Sequence, residues 1–133
     1  MKLEYACRVL AQLGRTFGTE QLAHIETLAK LEAIPSNYLV QILNDLRNSG
    51  LINSKRGKQG GYCLASPPDD VTLRDIIQAI DPEMIAAQVS AQGQSGEGVR
   101  AVWSGLSNTF EQAAQKATLR DCMTAGEPPM YHI

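Results

Sequence analysis

No run of apolar residues in this 133-residue chain is long enough to cross a bilayer. The opening Met1-Lys2-Leu3-Glu4 also puts an acid where a signal peptide would begin its apolar stretch. The expectation is a cytoplasmic protein with no membrane partner. Cysteine is scarce: Cys7, Cys63 and Cys122 are odd in number, lie far apart and form no Cys-x-x-Cys pair, which argues against a disulfide framework or a zinc knuckle. The only histidines are His24 and His132, no glycine-rich phosphate loop follows a strand, and no acid pair sits near an evident cleft, so the chain is not expected to be an enzyme. Acid is also missing locally. Residues 46–68 hold no Asp or Glu but carry Arg47, Lys55, Arg56 and Lys58, so a net charge of −2 leaves −6 (−2 minus +4) for the rest of the chain. An acidic average therefore hides a basic patch.

What is present suits one compact domain with appendages, since 44% apolar content in a chain this short cannot fill two full-sized cores. Ala6, Val9, Leu10, Leu13 and Phe17 recur at helical spacing and predict a first helix. Leu22, Ile25, Leu28 and Ala29 predict a second, stopped near Ile34 by Pro35. Pro35-Ser36-Asn37 is a favourable helix start. The stripe Leu39, Ile42, Leu43, Leu46 then predicts a third helix, closed by Asn48-Ser49-Gly50. Two short helices joined tightly, the second with a polar outer face, indicate a helix-turn-helix. Short strands at 51–54 and 61–65, joined by Lys55-Arg56-Gly57-Lys58-Gln59-Gly60, read as a hairpin wing with a cationic tip. Thr72-Leu73-Arg74-Asp75 resembles a capping box that opens a fourth helix over Leu73–Ile80, broken by Asp81-Pro82.

Residues 88–98 are rich in Gln, Ser and Gly, and their second half reads as a mobile loop. Beyond it, Val99, Val102, Trp103, Leu106, Phe110, Ala113, Ala114 and Ala117 give a broad apolar face on a helix of about five turns. That helix needs a surface to cover, and in so small a chain a second copy is favoured over its own domain. The expected fold is mainly α with a small β-hairpin: a winged helix-turn-helix with a long C-terminal dimerisation helix. Its expected divisions are a DNA-binding domain at 1–81, a linker at 82–98, the dimerisation helix at 99–119 and a tail at 120–133.

In this arrangement the third helix enters the major groove. Ser36, Asn37, Tyr38, Gln41 and Asn44 are candidates to meet base edges or phosphates, Asn and Gln being suited to adenine. Arg47, Lys55, Arg56 and Lys58 should contact phosphate or enter the minor groove, each contact steepening the log–log salt dependence by roughly 0.9. A solvated helix face and an ordinary charge run are the bland alternatives. Cys7 beside Arg8 invites a redox-sensing reading, against the commoner role of a small core residue. Cys63 and Cys122 stand likewise. An interaction adaptor that had lost DNA binding would show a neutralised wing, whereas Lys55-Arg56-x-Lys58 is intact.

Three strings carry a family resemblance: Glu4-Tyr5-Ala6; Tyr38-Leu39-x-x-Ile42-Leu43-x-x-Leu46-Arg47-x-x-Gly50-Leu51; and Ser54-x-Arg56-Gly57-x-x-Gly60-Gly61-Tyr62-x-Leu64-Ala65. Across residues 4–80 the chain resembles the Rrf-type winged-helix transcriptional regulators. The resemblance implies a homodimer on a palindromic operator, with Tyr38, Arg47 and Arg56 on positions associated with DNA contact, and it favours repression by analogy; the wing glycines Gly60 and Gly61 are counted with the DNA-binding candidates. Val40 stands where members often carry Glu, so their base preference does not transfer. Members that hold an iron–sulfur cluster carry three closely spaced cysteines between the fourth and fifth helices. Residues 84–99 have none, so no cofactor is expected. The ending Glu127-Pro128-Pro129-Met130-Tyr131-His132-Ile133 is similar to that of the cysteine-metabolism repressors of this family. That likeness implies cysteine synthase as a partner, engaged by Tyr131, His132 and Ile133. A frayed terminus, or one folded onto its own dimer, is the alternative.

Overall fold

The computed structural model describes residues 2–85 and 89–124. Helices α1 (Lys2–Gly14), α2 (Ile25–Glu32) and α3 (Ser36–Asn48) precede an antiparallel hairpin of β1 (Ile52–Lys55) and β2 (Gly61–Leu64). Then come α4 (Leu73–Ile80), α5 (Gly96–Lys116) and α6 (Leu119–Met123), with 3-10 turns at Pro68–Asp70 and Pro82–Met84. The architecture is mainly helical with a winged helix-turn-helix and a long C-terminal helix. The stripes Ala6, Val9, Leu10, Leu13 of α1 and Leu39, Ile42, Leu43, Leu46 of α3 meet Leu28, Ile52, Ile76 and Leu119 in one core, all fully or almost fully buried. Burying a large aliphatic side chain contributes roughly 1.5–3 kcal/mol, so these stripes drive the packing of the three-helix unit.

Four local expectations are corrected. Phe17 lies beyond α1 and is exposed: the chain tightens after Gly14 through i to i−3 bonds at Arg15, Thr16 and Phe17, and Gly18 turns at a φ of 85°. Leu22 is not helical, because Ala23 pairs with Tyr62 as an extra rung on the hairpin, with N–H···O distances of 2.9 and 2.8 Å. Helix α5 starts at Gly96 and stops at Lys116, so its expected 99–119 span shifts toward the N-terminus. Residues 117–118 are extended: Thr118 bridges Thr72, and the Leu73 amide donates to the Ala117 carbonyl at 2.9 Å. Residues Leu119–Met123 then form α6 against α1, where the end of the dimerisation helix and the start of a tail at 120–133 were expected.

The tetrapeptide Thr-Leu-Arg-Asp occurs twice, at 72–75 and 118–121, and opens α4 and α6 in the same manner. Thr72 Oγ1 accepts from the Asp75 amide at 3.1 Å, and the Asp75 carboxylate accepts from the Thr72 amide at 3.1 Å. Asp121 accepts from the Thr118 amide at 2.9 Å. Each box satisfies orphan amide donors of its helix.

Candidate nucleic-acid interface

The turn between α2 and α3 spans Ala33 to Pro35. Ala33 adopts a left-handed φ of 54°, and the Ala33 and Ile34 amides both return to the Ala29 carbonyl. That reversal sets α3 across α2. With its apolar stripe buried, α3 exposes Ser36, Asn37, Tyr38, Val40, Gln41, Asn44 and Arg47 along its outer face. Asn44 Oδ1 accepts from the Arg47 guanidinium at 3.2 Å, so these two candidates are neighbours. Asp45, the one acid on α3, is neutralised by Lys2 of α1 at 2.7 Å.

Tyr38 is 51% exposed but not free-standing. Its ring meets that of Tyr5 at 6.0 Å with a 53° tilt, and the Arg8 guanidinium lies 5.0 Å over the Tyr5 ring. Tilted aromatic pairs and guanidinium–ring contacts at these distances are attractive. Helix α1 therefore fixes the direction of the first turn of α3, a role for Tyr5 and Arg8 that the sequence reading missed. The family string Glu4-Tyr5-Ala6 was the available signal.

In the wing, Lys55, Arg56 and Lys58 are all exposed. With Thr19, Glu20, Leu22, Gly57, Gln59 and Cys63 they line an open groove of about 690 Å³. Glu20 brings a carboxylate to this groove from outside the acid-free stretch. Gly60 and Gly61 have a different place from the cations. Gly60 is buried, its amide donates to the Gly57 carbonyl at 3.0 Å, and a Cβ there would fall 2.2 Å from the Lys55 carbonyl. Gly61 has a φ of 149°, and a Cβ would meet the Ala23 carbonyl at 2.6 Å. Both glycines shape the turn that presents the cations.

Helix α5 leaves the domain with Val99 (44%), Val102 (63%), Trp103 (54%), Leu106 (56%) and Phe110 (39%) exposed on one stripe, and Ala113 is exposed beside them. Its second half is tied to the domain, by buried Ala114, by the Arg74–Glu111 ion pair at 2.7 Å and by Ser107, which donates to the Ile85 carbonyl at 2.6 Å. Ala117 is corrected: it is half-buried at the junction with α4 and lies off this face. Tyr131, His132 and Ile133 lie outside the described residues. Among the described residues, no helix is long and apolar enough to cross a membrane.

A helix with a polar outer face and a cationic hairpin beside it, set on a three-helix core, define a winged helix-turn-helix protein of the DNA-binding class. Residues 1–125 match the family model described as Rrf2: Iron-dependent Transcriptional regulator. The chain belongs to the Rrf2 family of transcriptional regulators. It is similar to CymR of Bacillus subtilis, 29% identical over 132 residues covering 98% of this chain and 94% of that protein. It is also similar to the HTH-type regulator Rv1287 of Mycobacterium tuberculosis, 32% identical over 125 residues covering 90% and 77%. Among solved structures it resembles CymR (YrzC), the global cysteine regulator of B. subtilis, with a TM-score of 0.79 at 27% identity over 96% of both chains. T. potens IscR follows with a TM-score of 0.75 at 26% identity, covering 100% of this chain and 90% of that one.

The family description includes iron, but the described residues do not fit an iron site. Among the described residues, no three His, Cys, Asp or Glu side chains gather where they could hold a metal ion. Cys7 lies on α1 and Cys122 on α6, two helices that pack together, and Cys63 sits on β2. A cluster needs several thiolates converging on one point, and these three do not supply them.

Proposed function

We propose that the protein is a homodimeric repressor that binds a palindromic operator through two winged helix-turn-helix units joined by their α5 helices. The observation that carries this reading is the exposed stripe Val99, Val102, Trp103, Leu106, Phe110 on a 21-residue helix that its own domain holds through its second half. A contiguous apolar face on a regulator of this size is best matched by the same face of a second copy, because an isologous contact buries both stripes at once. Ser36, Asn37, Tyr38, Gln41 and Asn44 then meet bases and phosphates in the major groove, while Arg47, Lys55, Arg56 and Lys58 neutralise phosphates. Similarity to CymR supports control of cysteine and sulfur metabolism as the physiological task, with cysteine synthase as a partner of Tyr131, His132 and Ile133.

Two assays test this. Sedimentation should give a dimer, and a duplex from upstream of a cysteine-biosynthesis gene should bind saturably, with a response to added cysteine synthase. A monomer at micromolar concentration would remove the dimeric mechanism. A dimer indifferent to such DNA would keep the mechanism and remove the metabolic assignment.

A further inference from the structure

One pair of nucleophilic groups lies outside the DNA and dimer surfaces. Cys7 on α1 and Cys122 on α6 are half-buried against the core where α6 packs on α1, near enough for each thiol to shift the other's titration. The contact is built into the packing of α6. Leu119 of α6 is fully buried, and Met123, next to Cys122, lies so close to α1 that a Cβ on Gly14 would touch its sulfur at 2.6 Å. Gly14 is seven residues, nearly two whole turns, beyond Cys7, so both lie on the face of α1 that α6 covers. Tyr5, which holds Tyr38, is two residues from Cys7 and points about 200° away around the same helix.

We propose that Cys7 and Cys122 are a redox-active dithiol, a modification site that hydrogen peroxide converts to an intramolecular disulfide tying α6 to α1. The neighbouring Cys7 thiol lowers the Cys122 thiol from its ordinary value to about 7 despite its partial burial and the nearby Asp121 carboxylate. Cys7 is pushed upward by the same interaction, by burial, and by the negative charges of Cys122 and Glu4. The two thiols titrate as a coupled pair, the Cys122 side shifted down and the Cys7 side up. The Cys122 thiolate attacks one peroxide oxygen, the O–O bond breaks and hydroxide leaves, giving a sulfenic acid. The Cys7 sulfur then attacks the Cys122 sulfur, the S–O bond breaks, and the Cys7 proton leaves with the hydroxyl as water. The two sulfurs lose two electrons, and one peroxide becomes one water and one hydroxide, which takes a proton from solvent to become the second water. The bond closes the first described helix onto the last, on the side of α1 turned away from the recognition helix.

The test uses the full reduced chain with one equivalent of hydrogen peroxide, thiol counting and peptide mapping. Free thiols should fall from three to one, the protein mass should drop by two hydrogens, and a single peptide should link Cys7 to Cys122 with Cys63 still alkylatable. Three free thiols, or a linkage between chains through Cys63, would overturn the proposal. Two variants separate thiol coupling from packing. Cys7→Ser keeps a donor and should leave the alkylation of Cys122 by iodoacetamide with its midpoint near pH 7, yet form no disulfide. Cys7→Ala should move that midpoint upward by at least a unit, cutting the rate at pH 7 roughly several-fold. Equal midpoints in the wild type and Cys7→Ala would refute the coupling.

Discussion

Replacing Trp103 with Ala separates folding from assembly, because the side chain is 54% exposed in the single chain. A tryptophan presents roughly 250 Å², so about 135 Å² awaits a partner. At about 25 cal/mol per Å², complete burial is worth about 3 kcal/mol per copy. Alanine keeps its Cβ contact and interfaces recover only part of the area term, so about 2 kcal/mol per copy is expected. The symmetric contact loses it twice, about 4 kcal/mol, raising the dimer dissociation constant on the order of 1000-fold. Trp103 is the only tryptophan, which also makes it the reporter in the wild type: its emission should shift to the red as dilution exposes it. Sedimentation equilibrium of both proteins measures the constants, and circular dichroism should show equal helix content with the variant diluted to monomer. A dimer constant within a few-fold of wild type would refute the placement of α5 at the interface.

Three further outcomes follow from the same geometry. If Arg56 neutralises one phosphate in each copy of the proposed dimer, Arg56→Ala should flatten the log–log salt slope of DNA binding by about 1.8, alike for all sequences, as anisotropy titrations at several salt concentrations would show. Gly60→Ala sets a Cβ 2.2 Å from the Lys55 carbonyl, so the wing turn must open. Its DNA affinity should fall at least about tenfold while the helical signal in circular dichroism is kept. Leu119→Ala empties a fully buried site under α1 and should cost about 3 kcal/mol in urea unfolding, which a loose α6 would not produce.

The parts of the fold that were legible in the sequence are those that local rules decide. The α3 stripe Leu39, Ile42, Leu43, Leu46 announces its buried face, and Gly57, Gly60 and Gly61 announce a tight hairpin. Leu22 misled because it continues the spacing of Ile25 and Leu28, whereas a distant partner, Tyr62, draws its neighbour Ala23 into extended pairing. Helix α6 was hidden by its five-residue length, too short for periodicity, although Thr118-Leu119-Arg120-Asp121 repeats the box already recognised at Thr72. The Tyr5–Tyr38 and Cys7–Cys122 contacts join elements far apart in the chain, and single-residue propensities carry no trace of them. Exposure of the α5 stripe was the less determined outcome, since the same apolar pattern could have folded back on its own domain.

Selection from random DNA duplexes by the purified protein, followed by anisotropy and sedimentation of the enriched sequence, tests the central claim most directly. The account predicts a palindrome whose half-sites lie about one helical turn, roughly 34 Å, apart. Two chains should bind per duplex, with a log–log salt slope near −7 from about eight phosphates. A selection that enriches no sequence, or a single asymmetric site bound by one chain, would contradict it.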